Sequence, residues 1–241
     1  MPDADPPLPP FARVPPPTWR HWAVRRAFNL KFVDIWLRDR ANDILDKLSV
    51  LEHLPKAGLH LDVGSGSGHI IAQMARRAGK AGPLFACVEP IARPTPRVLS
   101  RLDEHVPGRA HFLKASGDRL PLPDASADSA SIFFVLHHIP RALQLTILAE
   151  VKRCLKPGGV LMIWEDTPRN PDEYAATEKQ DRKLNFEPKD AGHWYRPGDE
   201  WVQAFESDGY ELLRRVDYDD PEAKGSRPAV PHTGLILRLS S

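Results

Sequence analysis

LDVGSGSGHI, Leu61 to Ile70, joins a strand, a glycine turn and the start of a helix around one acidic residue. Leu59 to Val63 reads as a short apolar strand, and Ile70, Ile71, Met74 and Ala75 recur after it at helical spacing. Gly64, Gly66 and Gly68, with Ser65 and Ser67 between them, therefore fall in the strand-to-helix turn. Glycine permits positive φ there, and a missing side chain lets a ligand approach the backbone while the amides of the next helix point at it. The pattern predicts a nucleotide-type site, with a turn that is glycine-rich for steric reasons alone as the bland alternative.

A nicotinamide-dinucleotide fingerprint requires G-x-G-x-x-G, but the position three beyond Gly66 is His69. The third glycine comes one residue early. PLFACVEP, Pro83 to Pro90, is a second apolar strand ending in Glu89, about twenty residues past the turn, where doubly wound folds place a carboxylate on ribose hydroxyls. A carboxylate accepts two hydroxyl hydrogen bonds at once, which suits a diol; a solvated strand-end charge is the alternative. HFLKASGDRLPLPDASAD, His111 to Asp128, holds a third strand and then Gly117, Asp118 and Arg119. SIFFVLHHI, Ser131 to Ile139, is too continuously apolar for a half-exposed strand and predicts a central parallel one carrying His137 and His138 at its end. Leu148, Val151 and Leu155 mark a helix that stops at LKPGG, before the strand VLMIWED, Val160 to Asp166.

Taken in order, D-x-G-x-G-x-G, the strand-end Glu, G-D, the strand with LHH, and LKPGG resemble the class I S-adenosylmethionine-dependent methyltransferases, in particular the small-molecule type that includes the ubiquinone and menaquinone biosynthesis enzymes. The resemblance covers roughly residues 58 to 165. It implies that Asp62 faces the methionine part of S-adenosylmethionine, that Gly64 to Gly68, Glu89, Pro90 and Phe133 surround the cofactor, and that Gly117, Asp118 and Arg119 hold adenine. The chain departs from the family pattern after Glu89, where IARPTPRVL carries two extra prolines.

The formal charge of +1, from 33 basic and 32 acidic residues, gives no global field to gather nucleic acid. A nucleic-acid methyltransferase would also show an N/D-P-P-Y/F-type sequence or a catalytic loop cysteine where this chain has FFVLHHIP. Cys87 and Cys154 read as small core hydrophobes of a reducing compartment. No apolar run reaches membrane-spanning length and none reads as a signal peptide, so a cytoplasmic enzyme without integral membrane association is expected.

Eight of the 25 prolines lie in the first seventeen residues, so 1–18 is expected to be an extended, mobile arm. Residues 19–57 are expected to form a helical cap over the cofactor cleft; the segment from 19 to 38 is rich in Arg, Trp and Phe, a composition also suited to a membrane surface or acidic partner. Residues 58–241 then form the methyltransferase domain, with a lid insertion at about 167–196 containing His193, Trp194 and Tyr195. The expected architecture is α/β: a Rossmann-like, seven-stranded, mostly parallel sheet with a C-terminal antiparallel hairpin.

The function expected is methyl transfer from S-adenosylmethionine to a small-molecule acceptor by in-line displacement. His137, His138, Asp166, His193 and Tyr195 are the acceptor-side candidates, with a neutral histidine as optional base. A nicotinamide-dependent oxidoreductase or epimerase, and a catalytically idle cofactor-binding scaffold, are the alternatives. A homodimer is compatible with the sequence. His137, His138, Asp166 and His193 are metal-ligating residue types, but such residues more often act singly, and no metal is assigned.

Overall fold

The computed structural model describes residues 19–185, 191–219 and 230–240; the proline-rich arm, 1–18, lies outside them. Among these residues seven strands form one sheet: β1 (Leu59–Val63), β2 (Leu84–Val88), β3 (Ala110–Leu113), β4 (Ala127–Phe133), β5 (Leu155–Asp166), β6 (Tyr210–Asp219) and β7 (Pro231–Leu239). Their order is β3-β2-β1-β4-β5-β7-β6. The first five are parallel, while β7 runs antiparallel to both β5 and β6. The predicted Rossmann-like sheet with a C-terminal antiparallel hairpin is therefore present.

Strand alternation divides the core into two layers. Leu61, Val63, Ile132, Leu161 and Ile163 face α6 (Arg141–Cys154) and α8 (Gly198–Ser207). Phe85, Cys87, Phe133, Met162 and Trp164 face α2 (Lys31–Lys47), α3 (Val50–His53), α4 (His69–Ala78) and α5 (Pro96–His105). Both cysteines are buried and free, as expected of small core residues. The chain runs outward from β1 through β2 to β3 and then returns to β4 on the other side of β1, so the switch point lies between β1 and β4 and leaves a crevice at their C-terminal ends.

Several boundaries differ from those expected. The aromatic segment from 19 to 38 breaks into α1 (Trp19–Phe28) and α2, and α2 continues to Lys47, burying Ile44 and Leu45. β4 ends at Phe133 rather than running to Ile139, because Phe134 takes a positive φ of 58° and Leu136–His138 form a turn of 3-10 helix. The physical cause is Glu165, whose carboxylate accepts the N–H groups of Val135 and Leu136 at 2.9 and 2.8 Å in place of a strand partner. After β2 the extra prolines are absorbed without loss of the helix: Thr95 caps α5 by accepting the N–H of Val98, and Pro96 occupies the first turn, where its missing donor costs nothing.

β7 is held closely between sheet and helices. A Cβ on Gly234 would lie 2.6 Å from Trp164 and 2.7 Å from Leu48. Gly234→Ala is therefore expected to lower stability by about 1–3 kcal/mol through overpacking; urea unfolding of the two proteins measures it, and an unchanged midpoint would show that this layer is loosely packed.

Candidate active site

The glycine turn sits at the C-terminal edge of β1 and is built by the backbone. Gly64, Gly66 and Gly68 have φ of 77°, 50° and 79°. The amides of Gly64 and Ser65 donate to the carbonyl of Val88, which ties the turn to β2. The three glycines do different work. A Cβ on Gly64 would meet Val135 at 2.2 Å, and one on Gly68 would meet Val98 and Phe112 at 3.0 and 3.1 Å, whereas a Cβ on Gly66 would find no atom nearer than 3.9 Å. Gly64 and Gly68 are thus fixed by protein packing, and Gly66 borders open space.

Glu89 is tied into the same loop. Its carboxylate accepts the N–H of Gly66 at 3.0 Å and those of Ile91 and Ala92 at 2.9 and 3.0 Å. It fixes the glycine turn. On one side of it a cavity of about 470 Å³ is lined by Glu89, Ile91, Phe112 and Leu113, with Trp19 and Trp22 from α1. On the other, a cavity of about 220 Å³ is lined by Asp62, Gly64 to Ser67, Phe133, Phe134 and, from α1 and α2, Phe28 and Arg40. Gly117, Asp118 and Arg119 form a turn beyond β3 and line neither cavity; Gly117 packs on Val63 and Ile147. Pro90 lines neither as well.

Asp62 ends a buried polar ladder. The ring nitrogens of His60 meet the hydroxyls of Ser129 and Ser131 at 2.7 and 2.9 Å, and Ser131 is 2.5 Å from Asp62 Oδ1. Burial pushes the Asp62 carboxyl up to about 6, against the lowering effect of its Ser131 and Ser65 hydrogen bonds, and burial alone pushes His60 down to about 3. His69, the residue that breaks the dinucleotide pattern, joins the turn to α2: its Nδ1 is 2.8 Å from Ser67 Oγ and its Nε2 is 3.2 Å from Asp34, which also binds Arg101.

All five acceptor-side candidates come together at the same edge of the sheet, although His137, Asp166, His193 and Tyr195 are buried rather than open to a pocket. His137 Nδ1 is 2.6 Å from Glu165, and its Nε2 is 3.5 Å from Asp181 and 3.8 Å from Asp166. Burial opposes charge on His137, but the Glu165, Asp166 and Asp181 carboxylates outweigh it and raise the group to about 10. Burial, together with His137 and His193, pushes His138 well below its usual range. Tyr195 donates to Asp181 at 2.5 Å and stacks on both His137 and His193. Asp166 is 2.5 Å from His232 of β7.

The sequence reading missed Glu165, Asp181, His232, Gln144 and Arg40. Asp181 was legible in one respect: in α7 (Pro171–Asn185), Glu173, Thr177 and Asp181 recur every four residues and all three are buried, a polar inner stripe. Gln144 carries no pattern; its amide donates to the carbonyls of Leu136, Ile139 and Trp194, pinning the segment expected to be a lid.

This topology is that of the Rossmann-like, class I methyltransferase fold. The structure resembles an S-adenosylmethionine-dependent methyltransferase from Thermotoga maritima with a TM-score of 0.59 at 18% identity, over 92% of this chain and 100% of that one. It also resembles the [4+2]-cyclase SpnF, with a TM-score of 0.57 at 17% identity over 84% and 80% of the two chains, so the fold alone leaves the reaction open. Residues 61–163 match the family described as a methyltransferase domain. Over 106 residues the sequence is 33% identical to a ubiquinone/menaquinone biosynthesis C-methyltransferase of Azotobacter vinelandii, covering 44% of this chain and 41% of that protein, so the chain spans less than half of the relative it matches. Over residues 61–163 the chain is thus similar to class I methyltransferase domains.

Two outcomes follow from the geometry. Gly64→Ala should destabilise the protein by about 2–4 kcal/mol, from the left-handed backbone and the Val135 clash together, while Gly66→Ala should cost only the backbone part, about 1–2 kcal/mol; equal losses in urea melts would contradict the division of labour in the turn. Because His60 stays neutral in the folded protein to about pH 3 while the unfolded chain protonates near 6.5, stability should fall as pH drops below 6.5. Titrating wild type against His60→Gln between pH 6.5 and 4.5 should show a slope steeper in wild type by up to ~1.4 kcal/mol per pH unit; parallel slopes would mean that His60 takes up its proton while folded.

Proposed function

We propose that the protein transfers a methyl group from S-adenosylmethionine to a small-molecule acceptor. The observation that carries this reading is the open face of Gly66 beside Glu89, because a left-handed turn that protein atoms leave free on one side is shaped for a ligand. Beyond the three amides it accepts, Glu89 keeps one lone pair, on Oε2, for a ribose hydroxyl. Asp62 faces the smaller cavity, where it offers an acceptor for an ammonium group, and Arg40 lines the same space as a partner for a carboxylate. Gly117, Asp118, Arg119 and Pro90 complete the adenosine side in this proposal, and Phe133 walls the sulfur side.

Bound S-adenosylmethionine supplies a methyl group on a sulfonium, an activated leaving group. The residues of this chain then have chiefly to orient the acceptor and exclude water. The N-terminal helices close the cleft with Phe28, Trp19 and Trp22, and the His137 to Tyr195 cluster shapes the acceptor side. His137 is buried among Glu165, Asp166 and Asp181, so in this reading it orders the wall of the acceptor side from behind rather than touching the acceptor.

No helix among the described residues is long and apolar enough to cross a membrane. A cytoplasmic enzyme acting on a small molecule, without nucleic acid and with self-association as a homodimer, is the setting we infer.

Calorimetry tests the reading directly. The protein should bind S-adenosylmethionine and S-adenosylhomocysteine but not NAD, and Glu89→Ala should weaken both sulfur ligands by about 1.5–3 kcal/mol, the range for hydrogen bonds to a charged group. NAD binding without a response to either sulfur compound would replace this proposal with the oxidoreductase alternative.

A further inference from the structure

The carboxylates at the end of β5 and the histidines that follow β4 form a second chemical centre. Glu165, Asp166 and Asp181 bring three acids around one buried imidazole, and the rings of Tyr195 and His193 stack over it. His137 is 1% exposed, and its Nε2 has no hydrogen-bond partner while it points toward Asp181. A buried nitrogen without a partner costs free energy that a ligand would recover.

We propose that His137 Nε2, a ring nitrogen of His138 and the carboxylate of Asp181 bind one divalent first-row transition-metal ion. One donor atom from each of these residues lies within 4.8 Å of the others. Donors placed ~2.0–2.1 Å from a tetrahedral ion stand about 3.4 Å apart, and His137 Nε2 is 3.5 Å from Asp181 Oδ2. Two imidazoles with one carboxylate favour an ion such as Zn(II), Fe(II) or Co(II) over Mg(II) or Ca(II), which take oxygen ligands.

The surroundings fit an ion as well as the ligands do. Glu165 holds Nδ1 of His137 at 2.6 Å, which turns Nε2 toward the centre in the carboxylate–histidine arrangement that commonly supports metal sites. Tyr195 does the same for Asp181 through its hydroxyl. Asp166, 3.8 Å from Nε2, adds negative charge next to the ion. The centre is separate from the glycine turn, so this inference holds whether or not the chain transfers methyl groups.

The test uses the full chain, stripped of metal with a chelator and titrated with Co(II) and then Zn(II). One equivalent of Co(II) should bind with the visible absorption of a four- or five-coordinate nitrogen–oxygen site, and Zn(II) should displace it. His138→Ala, at a half-buried position, and Asp181→Asn should each weaken binding at least tenfold, and Glu165→Gln should weaken it 10–100-fold, as loss of an outer support does. Thermal melts with Zn(II) should rise for the wild type and stay flat for His138→Ala. A wild-type protein that gives neither heat nor visible bands with Co(II), or variants that bind as tightly as wild type, would overturn the proposal and leave a protonated His137 as the cation of the cluster. The wild-type titration decides this even if a variant fails to fold.

Discussion

The hydrogen bond from the Gly66 amide to Glu89 joins the ends of two neighbouring strands and sets the shape of the ligand crevice. It works because the backbone at Gly64, Gly66 and Gly68 is left-handed, so the Gly64 and Ser65 amides turn to the Val88 carbonyl and the Gly66 amide to Glu89 instead of continuing the sheet. The other two amides held by Glu89 lead directly into the proline-containing loop before α5. One carboxylate thus fixes the turn, the loop and the rim of the larger cavity, while a second face of the turn stays open.

A similar economy governs the far end of the site. Glu165 ends β4 by taking its next amides, starts the 3-10 turn and orients His137. Asp166, the next residue, reaches the opposite layer and holds His232 of the hairpin. Two adjacent acids therefore connect the parallel part of the sheet to its antiparallel end. Burying these charges is tolerated because each meets a donor or an opposite charge; removing a partner would leave a charge uncompensated in a medium of low dielectric.

The parallel sheet was legible because its strands are buried on both faces and read as continuous apolar runs, and the glycine turn because only one residue type suits its backbone. Glu89 was legible from its distance to that turn. The end of β4 was not, since FFVLHHI is as apolar as a strand and only the distant Glu165 diverts its backbone. Asp181 and His232 lie 44 and 95 positions after His137 and meet it, or the acid beside it, only through the topology. Nor does sequence pattern reveal that Gln144 pins the His193 to Tyr195 segment, which composition alone marks as a loop over the site.

In the proposed function the free face of the glycine turn receives an S-adenosyl ligand. Backbone amide NMR of the full chain, recorded while S-adenosylhomocysteine is added, tests it at the atoms concerned. Large, saturable shifts are expected at Gly66, Ser67, Ile91 and Ala92, with little change in β6. Binding that leaves those amides untouched, or no binding at all, would contradict it.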